Sequence, residues 1–190
     1  MTALYAFVVI SFFITIVDII IRFPLQSEMI DYNDIQAIVI NVLALLIQIV
    51  FFAYGFVNAI RGMLSPKRMG AVIVAFFAAT CITGTGNMVI NSNVQIVLWW
   101  IVLIIPNVVG AVATFAYFVS GKKSKIYSII IYLAAILGIF RIIYSNYNLI
   151  VHANQYLSMN STVRLVLGIA IHCLVIYQTY VLWIKRQNAI

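Results

Sequence analysis

Six stretches of this chain are apolar for about the length a helix needs to cross a 30 Å hydrocarbon layer, roughly 20 residues each. They run Tyr5 to Phe23, Ile35 to Ile60, Met69 to Ile90, Val94 to Val119, Ile126 to Tyr144 and Val163 to Trp183. Inside lipid a backbone must satisfy its own hydrogen bonds, so runs of this length become helices even where Ile and Val are frequent. Strands of a membrane barrel are half as long and alternate apolar with polar residues, a pattern absent here. The expected fold is all-α: a polytopic transmembrane helical bundle of six transmembrane helices.

Composition closes the alternative of a water-soluble core. Of 190 residues, 65% are hydrophobic and only 8% charged, with mean hydropathy +1.14. A soluble domain averages nearer half apolar and a quarter charged, and it still has a surface to cover. Residues 1–190 are therefore expected to form a single integral membrane domain with short loops. The first run is not read as a cleavable signal, since no basic segment precedes it and no small-residue cleavage site follows before Pro24.

The cations assign an orientation. Arg61, Lys67 and Arg68 follow the second run, Lys122, Lys123 and Lys125 the fourth, and Lys185 and Arg186 the sixth. These are eight of the eleven Lys and Arg, leaving Arg22, Arg141 and Arg164 near the opposite side. With positive loops retained inside, both termini are expected to be cytoplasmic, and the plasma (inner) membrane is the expected location only as the commonest one for such proteins. The net charge of +7 does not suggest nucleic acid, because the cations flank apolar runs instead of forming one basic face with interleaved aromatics. The partners expected are the lipid bilayer and either another membrane protein or further copies of this chain.

Polar residues within the runs are the candidate functional groups, since ionised side chains in lipid usually face a bundle interior or water. Asp18 and Arg22 lie one helical turn apart and can pair on one face, either as a structural ion pair or as a cation-responsive carboxylate. Asn41, Gln48 and Gly55 recur at heptad spacing in the second run. Ala71, Ala75, Ala79, Thr83 and Asn87 form a small-residue row in the third, suited to close helix approach. Pro106-Asn107 interrupts the fourth run, with Gly110 and Thr114 following on the Asn107 side. A proline there frees a carbonyl and tends to kink the helix. Trp99, Trp100 and Trp183 read as interfacial anchors.

His172 is expected to be a hydrogen-bonded core residue near mid-membrane, and Arg141 sits near the outer end of the fifth run. Haem would need a second histidine at similar depth, and a metal would need more ligands. No cofactor or metal is therefore expected. Cys81 and Cys173 read as small buried hydrophobes. Sorted by depth, Asp18, Arg22, Asn41, Asn87 and Arg141 fall in the outer half, and Gln48, Asn107 and His172 near the midplane. Together they suggest a polar vestibule open to the outside and closed by a nearly apolar inner layer. Asn160-Ser161-Thr162 matches a glycosylation sequon but abuts the sixth run, so it is read as chance.

An enzyme is the least expected class. His172 and Cys173 are adjacent and diverge by about 100° on a helix, and one intramembrane acid cannot form an aspartyl dyad. Two readings stay open: a non-catalytic subunit or interaction protein, and a small-solute or ion transporter or channel using the vestibule.

Overall fold

The structure, a computed structural model, describes residues 2–26, 32–90, 94–122, 124–145 and 159–187. Among these, six α-helices follow in chain order: α1 (Thr2–Gln26), α2 (Tyr32–Ile60), α3 (Pro66–Ile90), α4 (Val94–Thr114), α5 (Lys125–Ser145) and α6 (Met159–Gln187). A short π-helical turn, Phe115–Val119, continues α4. The protein is an all-helical membrane bundle. Among the described residues four segments are long and apolar enough to cross a bilayer: Val39–Ile60, Pro66–Thr85, Lys125–Tyr144 and Leu165–Gln187. The apolar parts described in the other two helices, Thr2–Val17 and Ile104–Val119, are shorter.

Each helix packs on its neighbours in sequence, and α1 closes the ring against α6. Neighbours run antiparallel: Tyr5 at the start of α1 meets Gly55 near the end of α2, and Gly70 at the start of α3 meets Phe118 beyond the end of α4. α3 and α6 also touch across the ring and are the most enclosed of the four long segments.

Aromatic side chains fill the interior. Tyr5 and Phe12 of α1 pack on Phe52 of α2, with ring centroids 6.2 and 5.7 Å apart. Phe52 meets Phe76 of α3 at 6.5 Å, and Phe76 meets the His172 ring of α6 edge-on at 5.0 Å. The outside is equally apolar: Leu43, Leu46, Val50 and Val57 on α2, and Ile129, Leu133 and Phe140 on α5, are all exposed. Such continuous apolar faces belong against hydrocarbon.

Two helix ends are set by glycine. Gly62 and Gly121 have φ of 65° and 71°, a region that costs any residue with a Cβ. At Gly62 the N–H of Met63 donates to Asn58 O and that of Gly62 to Ala59 O, satisfying the last carbonyls of α2.

Several expected boundaries move. α1 continues past Phe23 to Gln26, carrying Pro24 within its last turn. The link expected from Ser145 to Thr162 shortens, because α5 includes Ser145 and α6 starts at Met159. The sequon therefore lies in the first turn of α6. α4 runs unbroken through Pro106, and its departure from α-geometry is the π-turn at Phe115–Val119.

Candidate functional site

The eight residues suggested as an outer vestibule divide by what surrounds them. The side chains of Asp18, Arg22 and Asn87 lie outside the described residues. Asn41 is exposed on α2, while Gln48 and Asn107 are half-buried. Over the two heptads from Asn41 to Gly55 a straight helix drifts by only about 40°, so the row stays broadly on one face while its exposure changes along the helix. Gly55 faces the interior, where a Cβ would run into the Tyr5 ring. Arg141 is half-buried on α5.

His172 is 2% exposed. Its Nδ1 lies 2.7 Å from the carbonyl oxygen of Gly168, one turn earlier, so Nδ1 is the protonated nitrogen of that contact. The rest of the ring lies on Gly138 of α5, where a Cβ would overlap Nε2 and Cδ2. His172 is thus a hydrogen-bonded core residue whose seat depends on a glycine across the interface. Gly110 plays the same part in α4: a Cβ there would sit 2.9 Å from Phe77 Cζ and 3.0 Å from Ala134 Cβ. Thr114, fully buried, donates back to Gly110 O at 2.7 Å. The small-residue row of α3 is buried at Ala75 and Ala79. Cys173 is exposed and Cys81 half-buried, a correction to the expectation that both are enclosed. Lipid is itself apolar, so a membrane-facing cysteine needs no protein cover.

The half of the bundle expected to be nearly apolar holds the best-defined polar contacts. Gln178 of α6, fully buried, donates from Nε2 to the hydroxyl of Tyr5, which is also fully buried. Gln178 Oε1 has no hydrogen-bond partner among the described residues. Nearby, Arg68 Nη1 donates to Asn58 Oδ1 and to Met63 O, both at 2.7 Å, joining α2 to α3. Asn58 in turn donates to Tyr54 O at 2.7 Å. At the end of α6, Arg186 donates from Nη2 to Tyr117 O at 2.6 Å and from Nη1 to Lys122 O at 3.1 Å. Its guanidinium lies 4.2 Å from the centroid of the Tyr117 ring. The π-turn makes this possible, because its wider winding pairs Ser120 N with Phe115 O and Lys122 N with Ala116 O, and Tyr117 O accepts from Arg186.

Tyr5, Gln178 and Tyr117 were not among the sequence candidates. Tyr5 and Tyr117 read as parts of apolar runs, and Gln178 is one amide in a long helix. A weak signal existed in the tyrosine: a buried Tyr hydroxyl needs a partner, and a glutamine at matching depth can supply one. Among the described residues no three His, Cys, Asp or Glu side chains gather as metal ligands. Comparison with known protein families, with curated proteins and with solved structures yields no match.

Proposed function

We propose that this chain is a non-catalytic, multi-pass membrane subunit or interaction protein, held in the plasma membrane with its cation-rich end in the cytoplasm. The observation that carries the reading is the filled interior: ring contacts run without interruption from α1 through α2 and α3 to α6. Such a core resists the rearrangement that a solute path across the ring requires. What the bundle offers instead is its outside, with continuous apolar faces on α2 and α5 suited to lateral association with another membrane protein or with further copies of the chain.

The second reading, a small-solute or ion transporter or channel with an outward vestibule, draws on the half-buried Arg141 and on the half-buried amides Gln48 and Asn107. The decisive experiment is native mass spectrometry of the tagged chain after extraction in mild detergent or a lipid-preserving polymer. A stoichiometric partner protein, or a defined homo-oligomer without solute flux in liposomes, is expected. A lone monomer that supports flux, abolished by Asp18→Asn, overturns the subunit reading in favour of transport.

A further inference from the structure

Every Asp and Glu of this chain falls between Asp18 and Asp34. From Ile35 onward there is none, yet the end of the bundle where α4, α5 and α6 meet gathers Lys122, Lys125, Lys185 and Arg186. Arg186 brings two of these segments together by donating to Lys122 O. Lys122 Nζ stands 5.9 Å from the centroid of the Tyr127 ring, and Lys125 and Lys185 are exposed. The first turn of α5 contains no acidic residue, so its positive dipole end adds to the same field. Like charges are held together here, and no Asp or Glu occurs in α4, α5 or α6.

The surface just below these cations is aromatic and apolar. Tyr180 and Trp183 on α6 lie with ring centroids 6.5 Å apart, and Tyr180 is 48% exposed. Ile129 and Leu133 on α5 are exposed. Cations above, amphipathic rings at the boundary and bare hydrocarbon beneath match the three zones of one molecule type, a phospholipid with a negative head group. A free inorganic anion would use only the uppermost zone.

We infer that the cation-rich end of the α4–α5–α6 face is a binding site for an anionic phospholipid, with Lys122, Lys125, Lys185 and Arg186 around the phosphate and the acyl chains along Ile129 and Leu133. Two of the five guanidinium donors of Arg186 are engaged with carbonyls among the described residues, which fixes its charge at this end of the bundle. The inference assigns the part of the α5 face at Ile129 and Leu133 to lipid and leaves the α2 face for a protein partner.

The test is native mass spectrometry of the purified full chain in detergent with equimolar phosphatidylglycerol and phosphatidylcholine. The parent is expected to retain phosphatidylglycerol preferentially. The triple variant Lys122→Gln, Lys125→Gln, Lys185→Gln alters exposed side chains that donate no described hydrogen bond, so the fold is retained, as its melting temperature checks. Each cation near an anionic head group contributes about fivefold in affinity, so the triple variant is expected to lose roughly a hundredfold. The pair Arg61→Gln, Lys67→Gln removes charge at the same end but away from the aromatic face, and is expected to leave retention within about threefold of the parent. Equal retention by the triple variant, or an equal loss in the control pair, overturns the assignment. So does complete displacement of the lipid by excess inorganic phosphate, which would make the site one for a soluble anion.

Discussion

Gly138→Ala tests whether the His172 seat is as tight as the geometry requires. The new methyl group would overlap the imidazole at Nε2 and Cδ2. The ring has little freedom to retreat. Its Nδ1 is held to Gly168 O at 2.7 Å, and its other side meets Phe76 edge-on with planes 88° apart. Phe76 is itself pressed against Phe52 and Phe77. Overpacking of this kind costs about 1–3 kcal/mol, and losing the histidine hydrogen bond adds about 1 kcal/mol if the ring rotates away. Alanine returns about 1 kcal/mol over glycine in helix propensity. The net expectation is a loss of about 1–3 kcal/mol, or a fall in melting temperature of roughly 2–12 °C for a chain of this size. Thermal unfolding in detergent, followed by tryptophan fluorescence, measures it. The same substitution in a His172→Ala background meets open space and is expected to be neutral or mildly stabilising, so the two sites couple strongly. Gly168→Ala is the internal control, because its Cβ meets only the flexible Cδ1 end of Ile142, at 2.8 Å. A Gly138→Ala protein as stable as the parent, or one that loses equally in both backgrounds, would refute the claim that Gly138 exists to admit His172.

Tyr5→Phe is expected to destabilise by about 1–2 kcal/mol because it strands the buried Gln178 amide, and Gln178→Leu by a similar amount because it strands the buried Tyr5 hydroxyl, whereas the double variant is expected to be near neutral because both partners leave together. Equilibrium unfolding of the three variants decides it, and a harmless Tyr5→Phe would mean the hydroxyl does not seat the glutamine. Arg186→Lys is expected to leave the π-turn unclamped despite keeping the charge, because one ammonium does not reproduce the planar fork spanning Tyr117 O and Lys122 O. Hydrogen exchange should then rise severalfold at the Ser120 and Lys122 amides, and unchanged protection there counts against the clamp.

The helices were legible because one physical rule dominates them: in hydrocarbon a long apolar run has no other way to satisfy its backbone. Their ends were less so. Gln26, Tyr32 and Met159 lie in helix beyond the apolar limits, since nothing in the hydropathy pattern marks where a helix stops outside the hydrocarbon. Pro106 drew attention as the irregular point of α4, yet the π-turn lies nine residues later at Phe115. That turn answers to tertiary contacts, with Phe118 against Gly70 and Arg186 on Tyr117 O, which one helix's sequence does not reveal. Sorting polar residues by depth found His172 but passed over Gln178, because depth gives no rotation about the helix axis. In α2 the heptad spacing grouped the exposed Asn41 with the buried Gly55, because a shared face says nothing of how enclosed each level of that face is.

The placement of the polar ties bears on what the bundle can do. Tyr5–Gln178 joins α1 to α6, Asn58–Arg68 joins α2 to α3, and Arg186 joins α6 to the end of α4. All three lie in the half that carries the cations, and directly beyond them the Phe52–Phe76–His172 contacts link α2, α3 and α6. A transporter that alternates access must part each end of its bundle in turn. Parting this end would break the buried Tyr5–Gln178 hydrogen bond where no water replaces it, part the half-buried Asn58–Arg68 and Arg186–Tyr117 contacts, and pull apart the aromatic layer. A scaffold has no such requirement, and for it every tie is stabilising. The same residues that close the cation-rich end therefore support the proposed reading, in which the working surface is the perimeter: the apolar faces of α2 and α5, and the cationic rim above Tyr180 and Trp183.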